Sequence, residues 1–181
     1  MRAPDHALRF AFVPLGLFAL AVLSACQGSD DITSGLTGVP DPIEVNLESI
    51  TADDPLFDVL DTALQDEYRA EATYGSAIAV YGDVRPFTRI VLAEGRHVAA
   101  IAHLFEKRDL PVPEWDSGAF PIPVDFDQLE IADACALGVQ AEIENVAMYD
   151  ELSAIGLPAD VESVFQSLKT ASELNHMAAF S

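Results

Sequence analysis

Apolar residues recur at three- and four-residue intervals in four stretches of the chain, separated by segments marked with glycine and proline. Asp54-Pro55 opens the first, an N-cap followed by proline at the first helical position, and periodic apolar side chains run to Tyr81 before Gly82 stops them. A second start at Val84-Arg85-Pro86 leads into Phe87, Ile90, Val91, Val98, Ile101, Leu104 and Phe105, and the pattern ends near Arg108. Pro111, Pro113, Pro121 and Pro123 rule out a helix across 109–126, which predicts a long crossover with Trp115 pinning it to the bundle. Asp127-Gln-Leu-Glu130 has the form of a capping box and opens a third helix reaching about Ala154, ahead of Gly156 and Pro158. A fourth runs from about Asp160 to Phe180. No repeated strand pattern competes, so the expected fold is all-α. The short connections at 82–85 and 155–159 predict a four-helix bundle of two antiparallel helical hairpins, joined by the long crossover.

The start of the chain has a different pattern. Arg2 and Arg9 precede an apolar run from Phe10 to Leu23, interrupted by Pro14 and Gly16 and too short to span a membrane comfortably. Leu23-Ser24-Ala25-Cys26 follows and resembles the lipobox of bacterial lipoproteins. The resemblance implies a signal peptide over 1–25, an acylated Cys26, and export to the bacterial cell envelope with the membrane held through that lipid anchor. Residues 26–54, rich in Ser, Gly, Thr, Asp and Pro, then read as a flexible tether, leaving 55–181 for the bundle.

Composition narrows the partners. A chain of 181 residues that is half apolar can bury one proper core. Its formal charge of -21, from 9 basic and 30 acidic residues, argues against nucleic acid or an anionic membrane surface and makes cations the natural counterpart. Removal of 1–25 takes Arg2, Arg9 and Asp5 and leaves 7 basic against 29 acidic residues. With Cys26 acylated, Cys135 is expected to remain a thiol and no intrachain disulfide forms, so stability rests on packing or metal.

The candidate chemistry lies in two copies of Glu-x-x-His, Glu94/His97 and Glu173/His176, in separate predicted helices. At about 100° per residue, each places a carboxylate and an imidazole on one helix face. Glu94 falls within about 40° of Phe87, Ile90, Val98, Ile101 and Phe105, with His97 about 60° to one side. Glu142 shares its sector with Val139, Val146 and Tyr149, whereas Glu144 lies about 200° away. In the first helix Glu67 is flanked by Leu60, Leu64, Tyr74 and Ile78; Asp66 falls outside that sector and Glu71 remains a rival. In the fourth, Glu173 and His176 share a side with Met177 and Phe180, but Lys169 lies there too. The set is Glu67, Glu94, His97, Glu142, Glu173 and His176, the ligand pattern of a di-metal bundle. Four buried carboxylates would repel one another, and two divalent cations neutralise them. Mixed oxygen and nitrogen donors suit iron or manganese and also accommodate zinc. Tyr74 and Tyr149 share sectors with Glu67 and Glu142 and could donate hydrogen bonds to these ligands; Cys135 is read as core packing and His103 as surface.

The segment Glu67-Tyr-Arg-Ala70-Glu-Ala-Thr-Tyr74 resembles the Glu-x-x-Ala-x-x-x-Tyr of rubrerythrins, and residues 55–181 resemble the ferritin-like superfamily. Leu64-Gln-Asp-Glu-Tyr-Arg-Ala-Glu-Ala-Thr-Tyr74, Gly82-Asp-Val-Arg-Pro-Phe87, Ala141-Glu-Ile-Glu-Asn145 and Ala171-Ser-Glu-Leu-Asn-His176 are together similar to a prokaryotic ferritin-like family of unknown function. The resemblance implies two iron ions and an oxidoreductase, acting on peroxide or oxygen as rubrerythrins do or oxidising ferrous iron as ferritins do. Asn145 stands where rubrerythrins carry a further glutamate, and there are no Cys-x-x-Cys pairs, so turnover requires an external electron donor. The alternative is a non-catalytic surface lipoprotein that binds or sequesters metal. A lipid tether argues against a storage cage and is compatible with a homodimer.

Overall fold

The computed structural model describes residues 55–181. Four long helical stretches pack together and no strand occurs among the described residues. Helix α1 (Pro55–Tyr81) begins at the expected proline and ends at Gly82, whose φ of 79° is open to glycine and costly for other residues. Helix α2 (Phe87–Glu106) follows after a short turn. Helix α3 (Ile131–Ser153) begins later than the capping-box reading places it. Leu129 and Glu130 are extended, and Asp127 lies in a short 3-10 turn (Phe126–Gln128) whose cap is the Asp125 side chain. Helix α4 (Ala159–Ala171) passes through a π-helical turn (Ser172–His176) into α5 (Met177–Phe180), where the sequence predicts one uninterrupted helix.

Two apolar layers hold the four stretches. One joins Leu60, Leu64, Ile101, Leu104, Phe105, Tyr149, Val161 and Phe165; the other joins Tyr74, Ala77, Phe87, Ile90, Ala134, Cys135 and Phe180. In each long helical stretch buried polar residues lie between these two sets: Gln65, Asp66 and Glu67, then Glu94 and His97, then Glu142 and Asn145, and finally Ser172 and His176. The site is therefore a polar layer closed on both sides by packed hydrocarbon, which raises the strength of every electrostatic contact inside it.

Gln65 ties the crossover to α1. Buried Gln65 donates to the Glu114 carbonyl at 2.9 Å and accepts from the Asp116 amide at 2.8 Å, whereas Trp115 donates back to Phe120 within the crossover. The end of α2 is tied to the start of α4 by Asp160, which accepts from Lys107 at 3.0 Å and from buried Arg108 at 2.9 and 3.0 Å. Cys135 is disulfide-bonded, which overturns the expectation of a lone thiol. The expected signal, the acylation of Cys26 and the tether lie outside the described residues. No described helix is long and apolar enough to cross a membrane.

Candidate metal centre

Three carboxylates and two imidazoles meet in the polar layer. Glu67 from α1, Glu94 and His97 from α2, Glu142 from α3 and His176 from the π turn are each at most 5 % exposed. They form two groups whose potential ligand atoms lie within 4.8 Å of one another: Glu67, Glu94 and His97, and Glu94, Glu142 and His176. Glu94 belongs to both. Its Oε2 is 2.8 Å from His97 Nδ1 and its Oε1 is 3.1 Å from His176 Nδ1. The outer carboxylates complete the pairs, Glu67 Oε2 at 3.2 Å from His97 Nδ1 and Glu142 Oε2 at 3.3 Å from His176 Nδ1. The two imidazole rings stack at 5.3 Å between centroids, 16° from parallel.

Tyrosines fix the outer carboxylates crosswise. Tyr74 donates to Glu142 Oε1 and Tyr149 to Glu67 Oε1, both at 2.5 Å. Each tyrosine lies seven residues after the glutamate of its own helix, about 10 Å along the axis, too far to reach it. It reaches the glutamate of the other helix instead, because α1 and α3 run in opposite directions where they face. The result is an approximate twofold relation: in both glutamates one oxygen is held by a phenol and the other is left facing an imidazole. The crossing depends on the direction of a second helix, which the residues of one helix do not carry.

A further chain of hydrogen bonds was not anticipated. Asn145 Nδ2 donates to Asp66 Oδ2 at 2.9 Å and to Glu67 Oε1 at 3.3 Å, while its Oδ1 accepts from Ser172 Oγ at 2.9 Å. Asp66, expected outside the inward sector, is only 9 % exposed and paired with Arg69. The signal was Asn145 itself, a polar residue in phase with Glu142 and Tyr149 on an inward face.

Glu173 is not in the cluster. It is exposed, although it shares its motif with His176. On an unbroken helix its angle from Met177 and Phe180 points inward, but the π turn adds a residue to the helical circuit and breaks the phase between α4 and α5. Counted from buried Ala171, Glu173 is about 200° round the helix and faces out. Of the rivals, Glu71 is half-buried with its carboxylate against Gly95, and Glu144 is exposed as expected; neither joins the two groups.

The electrostatics are those of a site that needs positive charge. Burial alone would lower the pKa of His97, but the Glu67 and Glu94 carboxylates outweigh it and raise it to about 10. His176 is likewise lowered by burial and raised more by Glu142 and Glu94, to about 9. Burial pushes Glu94 upward, and the His176 and His97 imidazoles beside it bring it below the ordinary range. Glu67 stays raised because burial exceeds the help from His97. Imidazolium protons thus supply, in the metal-free chain, the positive charge that keeps three carboxylates together. Glu94 Oε1 is buried and has no hydrogen bond, although His176 Nδ1 lies 3.1 Å away. A buried carboxylate oxygen without a hydrogen bond, among nitrogen and oxygen donors, fits a metal ligand. These buried groups could hold a metal ion.

Comparison with protein-family models, with curated proteins and with solved structures finds no match to this chain.

Proposed function

We propose that the polar layer is a two-ion centre, a di-iron carboxylate site of ferritin-like type, and that the protein is an oxidoreductase using ferrous iron to reduce peroxide or oxygen. The observation that carries this reading is Glu94, which turns one oxygen toward each of two imidazole and carboxylate pairs. Glu67 and His97 would hold one ion and Glu142 and His176 the other, with Glu94 between them. When bound, the ions would supply electrons and Lewis acidity at a place closed to bulk water. The chain supplies the rest. Tyr74 and Tyr149 hold the unused oxygens of Glu142 and Glu67, so each ligand presents a single oxygen inward and needs little reordering to bind. The apolar layers above and below exclude water from the reacting volume. Two divalent ions displace the two imidazolium protons, so binding weakens as pH falls.

Anaerobic loading of the full chain with ferrous iron, followed by peroxide, tests the proposal. Uptake of two ions per chain and oxidation much faster than that of iron in buffer is the expected result. Oxidation at the buffer rate with both ions bound would replace catalysis by the alternative, a protein that only binds or sequesters metal. Manganese or zinc found at full occupancy in natively isolated protein would reassign the ion.

A further inference from the structure

The two halves of the site share a plan but are not equally held. Glu67 Oε1 accepts from Tyr149 at 2.5 Å and from Asn145 Nδ2 at 3.3 Å, whereas Glu142 Oε1 accepts from Tyr74 at 2.5 Å and from no other described residue. Asn145 stands three residues after Glu142, and its counterpart three residues after Glu67 is Ala70, whose side chain has no donor. The second bond therefore exists on one side only. Its direction is set from the other end of the amide: Ser172 Oγ donates to Asn145 Oδ1 at 2.9 Å, and Nδ2 divides its two hydrogens between Glu67 and Asp66 Oδ2. A flipped amide would turn its oxygen against two carboxylates. Glu94 leans the same way, with Oε2 at 2.8 Å from His97 Nδ1, and Oε1 at 3.1 Å from His176 Nδ1 without a hydrogen bond. His97 is 1 % exposed in an unbroken helix, whereas His176 is 5 % exposed and follows exposed Glu173, Leu174 and Asn175.

We infer that Asn145 makes the two ion positions unequal, so that the Glu67 and His97 position takes the first ion and the Glu142 and His176 position takes the second. This rests on the two-ion reading above. A carboxylate that is already oriented has less rotamer freedom to lose when an ion arrives, and an outer hydrogen-bond partner of a ligand is worth about 10- to 100-fold in metal affinity. Glu67 has two such partners on Oε1 and Glu142 has one. Asp66 does not draw the amide away from Glu67, because its other oxygen is taken by Arg69 and Asn145 reaches both carboxylates at once. The two ions would share Glu94 and repel each other, so filling one position weakens the other. A difference in how the outer glutamates are held thereby becomes an order of filling. Asn145 touches neither ion in this arrangement; it is a positioning residue that acts through Glu67.

Crystals of the full chain given one equivalent of Mn(II) test the inference by anomalous scattering. Location is the readout because repulsion would produce two binding steps in solution even between equal positions. The position beside Glu67 and His97 should be occupied about 10-fold or more above the one beside Glu142 and His176. Asn145→Leu, which keeps a similar shape and removes the amide, should bring the two occupancies close together, yet still take up two ions at excess manganese because no ligand is lost. Ser172→Ala leaves both glutamates and Asn145 in place, frees the amide to turn, and should reduce the preference by a smaller factor; it carries the test if Asn145→Leu does not fold. Equal peaks in the unaltered chain, a first peak beside Glu142 and His176, or a preference that survives the substitutions overturns the inference alone. Fewer than two peaks in the polar layer of the unaltered chain at excess manganese overturns the two-ion reading, and this inference with it.

Discussion

Glu94 and His97 sit in an unbroken α-helix and both are buried, whereas Glu173 and His176 sit in a π turn and only the histidine is buried. The residues and the spacing are the same. A Glu-x-x-His motif therefore specifies a shared face only while the backbone keeps 3.6 residues per turn. One added residue between α4 and α5 is enough to leave the second glutamate in solvent. The motif in α2 is held by packing on both sides, between Ile90 and Ile101; the motif after α4 is held by Ser172 at one end and Phe180 at the other. The first gives the site both members of its motif and the second only its histidine.

Removing the glutamate of the first motif has the largest expected effect. Glu94→Gln takes away the carboxylate common to both groups, and ion binding should fall by more than about 100-fold at both positions, beyond the loss typical of an outer hydrogen-bond partner. Equilibrium dialysis would measure it, and retention of one tight ion would break the assignment of Glu94 as the shared residue. A charged contact that balances itself sharpens the comparison. Arg108 is buried and paired with Asp160, so Asp160→Asn should lower stability by about 3 kcal/mol by leaving a buried guanidinium short of its partner. That loss should be the same with and without metal in denaturant titrations, unlike any loss at Glu94.

The crossed tyrosines come next. Tyr74→Phe and Tyr149→Phe should each weaken ion binding about 10-fold or more, with the larger loss for Tyr74→Phe because Glu67 Oε1 keeps its bond from Asn145. Equal losses would show that Asn145 does not help to hold Glu67. The metal-free chain should also respond to pH in a defined direction. His97 and His176 are raised from 6.5 to about 10 and about 9, so the native state keeps protons that the unfolded state releases. Their contribution is complete below about pH 6.5 and is lost as pH rises through 9 to 10. Raised Glu67 acts in the same direction. Thermal melts of chelated protein should therefore show a falling melting temperature across this window, and an excess of divalent ion should flatten the dependence. The smallest effect belongs to the second motif: Glu173→Gln should change the stability of the metal-free chain by less than about 0.5 kcal/mol, since the residue is exposed.

The all-α class and the bounds of α1 were legible because proline, glycine and apolar period agree there. Five inward residues were legible because charged side chains in an apolar sector need a reason to be there. The register at Glu173 was not, since a π turn leaves no mark in residue type. Lys169, misplaced on an otherwise inward face, was its one trace: the phase that includes Phe180 does not extend back to residue 169. Asp66 and Ser172 were missed because their burial depends on Asn145 reaching from another helix. The late start of α3 shows the limit of a capping pattern, which fits a 3-10 turn and an extended step as readily as a helix.

Crystals of the full chain grown with manganese would test the central claim most directly through anomalous scattering. The account predicts two peaks inside the bundle, one against Glu67 and His97 and one against Glu142 and His176, both in contact with Glu94. A map with no peak in the polar layer, or with manganese confined to exposed acidic side chains, would contradict it.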